Sequence, residues 1–511
     1  MIQRGVFIFF LVYCKLILGI EEPSKTSSDY ALSHIHMVPL LELKEQAVKN
    51  LKNYSGVLEN RLKYIELGIK QIEHLLERQE SSNTFKLFKL TRHLYYDGKK
   101  WLNFLKEKIG RREMAKAQSL RPRMPTRTDY MESLYAIYRL QSTYDLDPAK
   151  MSGGLLRGKQ YRSKKWSSLE CLMVGTIYYL DENFKNAEIW FQLALEKYYQ
   201  HSIPKQFEVL GIPYRFILIL LMKSAKSSGR YDAALEYAKK GASLELNSNY
   251  WKDQMDQVKA LIENPKVIEP FRPVKYMFKT ACRKEYPHVH LKCRYLKTSA
   301  FLKLAPIKME EVFLDPPISI YHNLINEMEI SLLKNLSTPY LKRSQLYSEN
   351  HNILDDFSNL RTCKSMRMND SHHSLLEKLN NRITDATGLS VKDSEKLQIS
   401  NYGIGGHLYE HQDFTTTTKS DFWITGNRVI TALFYLSNVE QGGETVFPNL
   451  NLKVSTQKGS LMVWYNLFLN GSTDSQVFHA SCPVLMGDKW IATKWLREKA
   501  QMFIRKCPKD F

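Results

Sequence analysis

The stretch LQISNYGIGGHLYEHQDF, at residues 397–414, predicts two short strands separated by glycine turns. Similar runs follow it, rich in β-branched and aromatic residues and separated by Gly and Asn turns: RVITALFYLS at 428–437, SLMVWYNLF at 460–468 and KWIATKWL at 489–496. Strands of this length and spacing are typical of a sandwich, a barrel or a jelly roll. We therefore expect a strand-rich domain at residues 326–511.

His411 and Asp413 lie two positions apart, so on a strand both side chains project from the same face. His479 follows in VFHASCP, 68 residues after His411. Two imidazoles and one carboxylate form the facial triad of non-haem Fe(II) oxygenases, which leaves positions on the ion for a bidentate co-substrate and O2. Each of these residues alone is more often structural. The set of three predicts an Fe(II) site, since zinc more often takes a fourth ligand or a single water.

Lys489, in GDKWIATKW, follows His479 by ten residues. That distance allows one strand, a Met-Gly-Asp turn and entry into the next strand, which would place a cation across the pocket from the metal. A co-substrate such as 2-oxoglutarate chelates iron through its keto-acid end and needs a cation for its distal carboxylate. The alternative is a surface lysine beside Trp490. The combination of triad and lysine is more specific than its parts.

Residues upstream of this domain predict helices. Apolar residues at 48–76 follow a 3–4 rhythm, which is typical of a coiled coil or of the core stripe of a long helix. Association between two copies of the chain and an intramolecular hairpin with a helix near residues 85–109 both remain open. The apolar positions are Val48, Leu51, Leu58, Leu62, Ile65, Ile69, Ile72 and Leu76.

Two similar units follow, at residues 171–198 and 217–248, each reading as helix, polar turn and helix with a small residue after the turn (Ala187 and Ala234). Such pairs are similar to tetratricopeptide repeats and form grooves for extended peptides. We predict a multidomain α + β chain: a helical, coiled-coil assembly domain at 21–138, a tetratricopeptide-like peptide-binding domain at 139–250, a basic connector at 251–325 and the strand-rich jelly-roll domain.

The 511 residues carry 73 Lys and Arg against 53 Asp and Glu, a formal charge of +20. A basic excess of this size can indicate nucleic-acid binding. Here residues 85–127 contribute 13 basic and 3 acidic residues, and residues 266–308 contribute 11 and 2. These two segments hold almost all of the excess, and neither contains a zinc-finger, helix-turn-helix or RNA-recognition signature. Solvated basic faces are therefore favoured over a nucleic-acid partner.

The N-terminus, MIQRGVFIFFLVYCKLILGI, combines a basic residue with an apolar run and predicts a signal peptide at residues 1–20. Lys15 interrupts the run, and no later stretch reaches the length of a membrane span. The expected compartment is luminal, where disulfides and glycosylation occur. Sequons stand at Asn53, Asn335, Asn369 and Asn470.

Removal of the signal peptide would leave six cysteines: Cys171, Cys282, Cys293, Cys363, Cys482 and Cys507. Proximity along the chain favours Cys282 with Cys293 and Cys482 with Cys507, although the sequence leaves other connectivities open. The ending KCPKDF is no luminal retention signal.

The motifs NYGIGGHLYEHQDF, GNRVITALFYLSNVEQGGETVFP, GSLMVWYNL and FHASCPVLMGDKWIATKWLRE, with the late Cys507, resemble the catalytic domain of collagen prolyl 4-hydroxylase α subunits. LQSTYDLD at residues 140–147, the repeat pair and the early helices are also similar to that subunit. The resemblance covers most of the mature chain.

The resemblance implies that His411, Asp413 and His479 bind Fe(II). It implies that Lys489 holds the C5 carboxylate of 2-oxoglutarate and that Tyr402 lines the pocket. The implied reaction uses O2 to hydroxylate C4 of peptidyl proline in procollagen-like proteins, coupled to conversion of 2-oxoglutarate to succinate and CO2. L-Ascorbate would restore iron that is oxidised in uncoupled turnovers.

The resemblance also implies the two disulfides Cys282–Cys293 and Cys482–Cys507. Catalytic subunits of this family pair through their N-terminal helices and bind protein disulfide isomerase as β subunit, in an α2β2 assembly of the endoplasmic reticulum lumen. That partner would carry the retention signal.

In this family a row of tyrosines in the helical module faces a polyproline-II peptide, as suits proline rings. Tyr144 and Tyr179 stand where aromatic residues are expected, whereas Lys223 and Lys226 occupy positions where tyrosines are expected. Glu410 replaces a proline before the first ligand. Two alternatives follow: the same chemistry on a non-collagen secreted protein, or a catalytically silent helical-repeat binding subunit.

Overall fold

The computed structural model describes residues 30–31, 33–76, 84–162, 165–199, 214–266, 277–286, 292–344, 360–415 and 424–505. They fall into two compact units, one at residues 35–126 and one that contains residues 127–511. The predicted signal peptide and Cys507 lie outside the described residues. None of the helices within the described ranges is long and apolar enough to cross a membrane.

The unit at residues 35–126 is helical. Helix α1 (Met37–Leu76) has 40 residues, and the rest of the unit consists of α2 (Thr84–Arg92), a π-helical turn (His93–Asp97), α3 (Gly98–Lys106) and α4 (Arg111–Leu120). The first helix packs against the later ones, as in the intramolecular hairpin. Five residues of its predicted apolar seam nevertheless remain exposed: Val48, Leu51, Leu58, Leu62 and Ile69.

Two of the contacts in this packing involve Arg61 and Gly68 of α1. The guanidinium of Arg61 lies 4.0 Å from the centre of the Phe104 ring. Gly68 lets α1 approach α3, because a Cβ atom at this position would lie 2.0 Å from an atom of the Trp101 ring.

The second unit begins with helices. Helix α5 (Arg127–Tyr144) and the short α6 (Pro148–Ser152) precede two helix pairs, α7 (Ser168–Leu180) with α8 (Phe184–Tyr199) and α9 (Tyr214–Ser227) with α10 (Tyr231–Leu244). The pairs agree with the predicted helix–turn–helix units. The small β1 (Leu155–Leu156) and β2 (Lys159–Gln160) pair with each other between α6 and α7.

The predicted connector, residues 251–325, takes part in the structures on both sides of it. Helix α11 (Asn249–Glu263) packs on α10 through the buried Trp251. Helix α12 (Met277–Arg283) and strands β3 (Cys293–Leu296), β4 (Ile307–Phe313) and β5 (Ile318–His322) follow. These strands join the main sheet because β5 carries apolar residues that the sheet buries.

Two facing antiparallel sheets form the strand-rich domain. The larger has nine strands in the order β3-β4-β5-β14-β10-β17-β8-β7-β6, and the smaller has the order β13-β12-β15-β9. Side chains of both sheets meet in one apolar core, which contains Tyr435 and Trp464 from the large sheet and Phe447 from the small one. This strand-rich arrangement agrees with the predicted jelly roll.

The bounds of the remaining elements are as follows. The strands are β6 (Lys342–Arg343), β7 (Cys363–Met368), β8 (Leu397–Tyr402), β9 (Leu408–His411), β10 (Arg428–Tyr435), β11 (Val439–Gly442), β12 (Thr445–Phe447), β13 (Leu452–Val454), β14 (Leu461–Tyr465), β15 (His479–Ser481), β16 (Val484–Gly487) and β17 (Lys489–Arg497). The helices are α13 (Ala300–Leu304), α14 (Glu327–Ser337) and α15 (Ser374–Thr387), and β11 pairs with β16 outside the two sheets.

Helix α5 packs directly on the strand-rich domain. Arg139 donates from Nε to the carbonyl oxygen of Gly405 at 2.8 Å. A Cβ atom on Gly405, whose φ is +55°, would lie 2.9 Å from the carbonyl oxygen of Ala136. Gly405, the second glycine in NYGIGG, therefore permits both the left-handed turn and the close approach of the helix.

The disulfide of the structure corrects the predicted pairing. Cys282 on α12 bonds to Cys482, which follows β15, across a sequence separation of 200 residues. Both cysteines are fully buried, whereas Cys293 is exposed and unpaired. The predicted Cys282–Cys293 and Cys482–Cys507 pairs are therefore wrong for Cys282 and Cys482. Proximity along the chain misled here because the packing of α12 on the small sheet brings the distant cysteine closer.

Candidate active site

The three predicted metal ligands come together at the edge of the small sheet. His411 ends β9 and His479 begins β15, and the two residues face each other in the register of this strand pair. Asp413 lies between the imidazoles, with Oδ1 3.7 Å from Nε2 of His411 and Oδ2 3.7 Å from Nε2 of His479. The ligand atoms of all three residues lie within 4.8 Å of one another. This spacing is close to what a single ion with ligands at about 2 Å requires.

Backbone carbonyls orient both imidazoles. Nδ1 of His411 lies 2.9 Å from the carbonyl oxygen of Tyr409, and Nδ1 of His479 lies 3.1 Å from that of Val477. A carbonyl oxygen can only accept, so Nδ1 carries the proton in each ring. The lone pair of each Nε2 therefore points toward Asp413, which is the tautomer that a metal needs.

Asp413 is 6% exposed and is held on two sides. The Thr431 hydroxyl donates to its Oδ2 at 2.6 Å, and Arg428 donates from Nη1 to its main-chain carbonyl oxygen at 3.1 Å. The fully buried Trp464 ring packs edge-to-face on His479, with centroids 4.8 Å apart. Apolar packing and hydrogen bonds thus fix the cluster, while both imidazole Nε2 atoms and Oδ1 of Asp413 stay available to a metal.

The protonation states also suit a cation. Burial, followed by the neighbouring His479, lowers the pKa of His411 to about 3. Burial raises the pKa of Asp413, but His479, His411 and Arg428 outweigh that effect and lower it to about 2. A neutral imidazole and an ionised carboxylate are the forms that ligate divalent metals. The residues present therefore fit an Fe(II) ion.

Lys489 lies on the inner face of the domain and is 1% exposed. Its Nζ donates to the Ser481 hydroxyl at 2.5 Å and to the Gly443 carbonyl oxygen at 2.6 Å, and it lies 5.0 Å from the centre of the Tyr402 ring. Burial lowers the pKa of Lys489 to about 7. Tyr402 is its direct neighbour across β8 and β17. The structure thus brings both predicted pocket residues together.

The small sheet also sets the distance between this cation and the metal cluster. Ser481, whose hydroxyl oxygen accepts a hydrogen bond from Lys489, lies two residues beyond His479 on β15. Two residues of strand span about 7 Å. That separation suits a five-carbon diacid that reaches from the ion to the ammonium group.

Sequence reasoning missed the residues that position this cluster. Thr431 and Ser481 lie inside predicted strands, but no local pattern marks them, because their roles depend on which strands become neighbours. Thr431 faces Trp464 on one side and Trp495 on the other. Only the strand order could have identified it.

The structure corrects the expectation that Tyr144 lines an open peptide groove. Tyr144 is 7% exposed, and its hydroxyl donates to the Pro483 carbonyl oxygen at 2.5 Å. Gly442 makes room for it, because a Cβ atom there would lie 2.7 Å from this hydroxyl. Its burial follows from the packing of α5 on the strand-rich domain. Tyr179 is half-buried on α7 beside Phe184, with ring centroids 5.3 Å apart.

Comparisons with known proteins agree with this arrangement. Residues 33–158 match the model of the prolyl 4-hydroxylase α-subunit N-terminal region, and residues 397–497 match that of the 2OG-Fe(II) oxygenase superfamily. The prolyl 4-hydroxylase subunit alpha-2 of Caenorhabditis elegans is 33% identical over 75% of this chain and 74% of its own length. Subunit alpha-1 of Homo sapiens is 29% identical over 97% of this chain and 99% of its own.

Among solved structures, the chain is similar to a viral collagen prolyl hydroxylase from Paramecium bursaria Chlorella virus 1. The identity is 21%, over 35% of this chain and 95% of that one, and the TM-score is 0.29.

The strand-rich domain with its triad and buried lysine defines an oxygenase that uses Fe(II), 2-oxoglutarate and O2. With these matches along nearly its whole length, the chain belongs to the prolyl 4-hydroxylase α-subunit family.

Proposed function

We propose that this chain is a catalytic α subunit that hydroxylates peptidyl proline at C4 in procollagen-like proteins and converts 2-oxoglutarate to succinate and CO2. One observation carries the proposal. The cluster of His411, Asp413 and His479 lies close to the buried Lys489, whose partner Ser481 is two residues from His479 on the same strand. A metal cluster alone would suit many reactions, whereas the second cation selects a dicarboxylate co-substrate.

The protein groups have separate tasks in this reaction. The two imidazoles and the carboxylate would hold the metal, and Lys489 would pair with the distal carboxylate of 2-oxoglutarate, with Tyr402 beside it. Trp464 and Phe447 form an apolar wall next to His479 that excludes water on that side. Bound iron supplies the oxidative chemistry that couples O2 reduction to decarboxylation of the co-substrate, with L-ascorbate as the expected reductant of iron oxidised outside the cycle.

The helix pairs would hold the rest of the substrate. We assign them a tetratricopeptide-like role in which extended, proline-rich peptides bind beside half-buried rings such as Tyr179. Tyr250 on α11 supports this role, since it lies near Tyr179 and its side chain is 38% exposed. Lys223 and Lys226 on α9 are half-buried and polar, which distinguishes this face from one formed by tyrosines alone.

Assembly would use the helical unit at residues 35–126. The exposed seam of α1, which includes Leu51 and Leu62, supports a coiled coil between two such subunits. We propose protein disulfide isomerase as β subunit, an α2β2 assembly and location in the endoplasmic reticulum lumen after removal of residues 1–20. The four sequon residues, Asn53, Asn335, Asn369 and Asn470, are all exposed, as glycosylation would require.

The test is turnover of the full chain co-expressed with protein disulfide isomerase. We expect proline-rich peptides to stimulate succinate formation and 4-hydroxyproline to appear in the peptide. His411→Ala should abolish both, whereas His372→Ala, at an exposed histidine outside the cluster, should leave both intact.

Absence of peptide-stimulated succinate in the wild type would refute the catalytic role and favour the silent binding subunit. If only non-collagen peptides were hydroxylated, the proposed reaction would stand and the proposed procollagen-like substrate would be wrong.

A further inference from the structure

Three arginines lie around Glu395, at the end of the main sheet that is opposite Lys489. Strand β17 runs from Lys489 to Arg497, and Trp495 faces Thr431, the residue that holds Asp413. Arg497 faces Arg428 one step further along. Along β17, Lys489 therefore comes first. Trp495 follows, at the level of the metal cluster, and Arg497 comes last, beside the other arginines. The third arginine is Arg367 on β7.

One carboxylate is shared among these arginines. The Glu395 carboxylate accepts hydrogen bonds from Nε and Nη2 of Arg428 at 2.6 and 2.8 Å, and it also forms an ion pair with Arg497. Arg367, which contacts Gln398, contributes to the low pKa of Glu395.

Two further acidic groups lie close to this site. Glu498 accepts from the main-chain nitrogen of Asn427, and Asp413 belongs to the metal cluster. Among the described residues, three guanidinium groups thus lie beside two carboxylates outside the metal cluster, Glu395 and Glu498, which leaves one positive charge in excess.

Such an excess of one charge sign at a pocket mouth attracts anions, because the low-dielectric walls concentrate the field. The excess is also reachable. Arg367 is exposed, and the side chains of Arg428 and Arg497 are 23% and 18% exposed. A guanidinium group binds a carboxylate through two parallel hydrogen bonds, so an acidic side chain is the natural peptide group for this surface.

The spread of the cluster sets how far from the reacting proline an acidic residue can lie. Arg428 contacts the main chain of Asp413, whereas Arg367 lies three strands away, since β10, β17, β8 and β7 are successive neighbours. Three strand spacings amount to about 14 Å. A polyproline-II peptide rises about 3.1 Å per residue, so the cluster covers about four residues.

We infer that the hydroxylated peptide carries at least one Asp or Glu within about four residues of the target proline, read by the arginines around Glu395. The inference rests on the proposed function and names the substrate class for the same site. It makes Arg367 a specificity-determining residue, because it is the exposed member of the cluster.

The test compares three peptides of one sequence, with Glu, Gln or Lys at a single position near the target proline, on the full chain co-expressed with protein disulfide isomerase. Hydroxyproline formation gives kcat/KM, and fluorescence anisotropy of the labelled peptides gives binding. We expect the Glu peptide to exceed the Gln peptide by roughly tenfold at low salt. We expect the Lys peptide to be the poorest, and the differences to shrink as salt is raised.

Two variants locate the effect. Arg367→Glu should invert the order of the Glu and Lys peptides, in both kcat/KM and binding. Lys308→Gln serves as the matched control, since this exposed lysine lies on β4 at the other end of the main sheet and should keep the order unchanged.

Equal hydroxylation of all three peptides would overturn the inference while the proposed function stands. Inversion by Lys308→Gln as well as by Arg367→Glu would also overturn it, because the preference would then reflect overall charge. No hydroxylation of any peptide would defeat the proposed function and the inference together.

Discussion

In the strand-rich domain the fully buried side chains include Lys489 and Lys494, whereas the helical region that precedes it fully buries Trp190, Phe191 and Trp251. The difference comes from the backbone. Helices satisfy their own amides and carbonyls, so a core between helices consists of side chains and is mostly apolar. In the domain formed by sheets, turns and neighbouring strands supply partners to a buried cation, as Gly443 and Ser481 do for Lys489.

The comparison indicates where chemistry can lie in this molecule. A buried charge needs partners from elements that are distant in sequence, and the sheets supply them at fixed spacings. The helix pairs instead keep their polar and aromatic residues on half-exposed faces, which suits contact with a large ligand. The predictions below alter either region, or the contacts that join them.

The largest effect is expected at the disulfide that joins α12 to the small sheet. Cys482→Ser should lower the free energy of unfolding by about 4 kcal/mol, because the bond closes a very long loop. Cys282→Ser should have a similar effect. Thermal unfolding of the full chain gives the measurement, and peptide mapping under non-reducing conditions gives the pairing.

Cys293→Ser is the control, because this cysteine is exposed and unpaired. It should change stability by less than about 0.5 kcal/mol. A loss as large as that of Cys282→Ser would show that Cys282 pairs with Cys293 after all.

The second prediction removes the buried cation. Lys489→Met should weaken 2-oxoglutarate binding by roughly 100-fold, since a charged hydrogen bond and its partner are both lost. Lys494→Met is the matched control: Lys494 is buried in the same strand but pairs with Asp370 at 2.8 Å, and its loss should leave 2-oxoglutarate affinity unchanged. If both variants weakened 2-oxoglutarate binding equally, Lys489 would not be the specific partner of the co-substrate carboxylate.

The same lysine predicts a pH dependence. Because burial lowers its pKa to about 7, the ammonium form dominates below that pH and the neutral amine above it. Carboxylate binding requires the ammonium form, so the dissociation constant of 2-oxoglutarate should rise by up to about tenfold per unit above pH 7. Lys489→Arg keeps its charge and should lose this dependence. Identical pH profiles for Lys489→Arg and the wild type would contradict the assignment.

The third prediction concerns Thr431, which holds Asp413 from a neighbouring strand. Thr431→Val removes the hydroxyl donor and should raise the iron concentration for half-maximal turnover by roughly tenfold. Direct titration with Co(II), followed by its absorption, should shift in the same direction. Thr384→Val on α15 is the control and should change neither value. Unchanged metal affinity in Thr431→Val would show that Asp413 needs no support from β10.

The smallest effect is expected where α5 meets the strand-rich domain. Tyr144→Phe deletes the hydrogen bond to the Pro483 carbonyl and should lower stability by about 1–2 kcal/mol. Peptide KM should stay constant, whereas Tyr179→Ala should raise it. If Tyr144→Phe raised the peptide KM and left stability unchanged, Tyr144 would contact the peptide rather than only join α5 to the strand-rich domain.

Local patterns predicted much of this structure. The alternation and turn residues of RVITALFYLS and KWIATKWL predicted strands that the structure contains as β10 and β17. The 3–4 rhythm predicted helix α1, and the His-x-Asp spacing predicted two neighbouring ligands, although Asp413 lies just beyond the end of β9. These features depend on a few neighbouring residues, which a sequence displays directly.

Contacts between distant elements were harder to predict. The Cys282–Cys482 bond, the burial of Tyr144 and the support of Asp413 by Thr431 each depend on which elements pack together. The main sheet takes up β4 and β5 from the predicted connector for the same reason. No short-range periodicity records strand order, so these features followed only from the structure.

The strand that carries His479 is only three residues long, and two of its ties to the helical region come directly after it. Cys482 bonds to α12, and the Pro483 carbonyl accepts from Tyr144 on α5. The strand-rich domain therefore cannot be moved to another protein without the helices that hold it. A chimera that grafts residues 326–511 onto the helices of a relative would separate a metal ligand's strand from its anchors, so exchangeable pieces of this chain begin at or before α5.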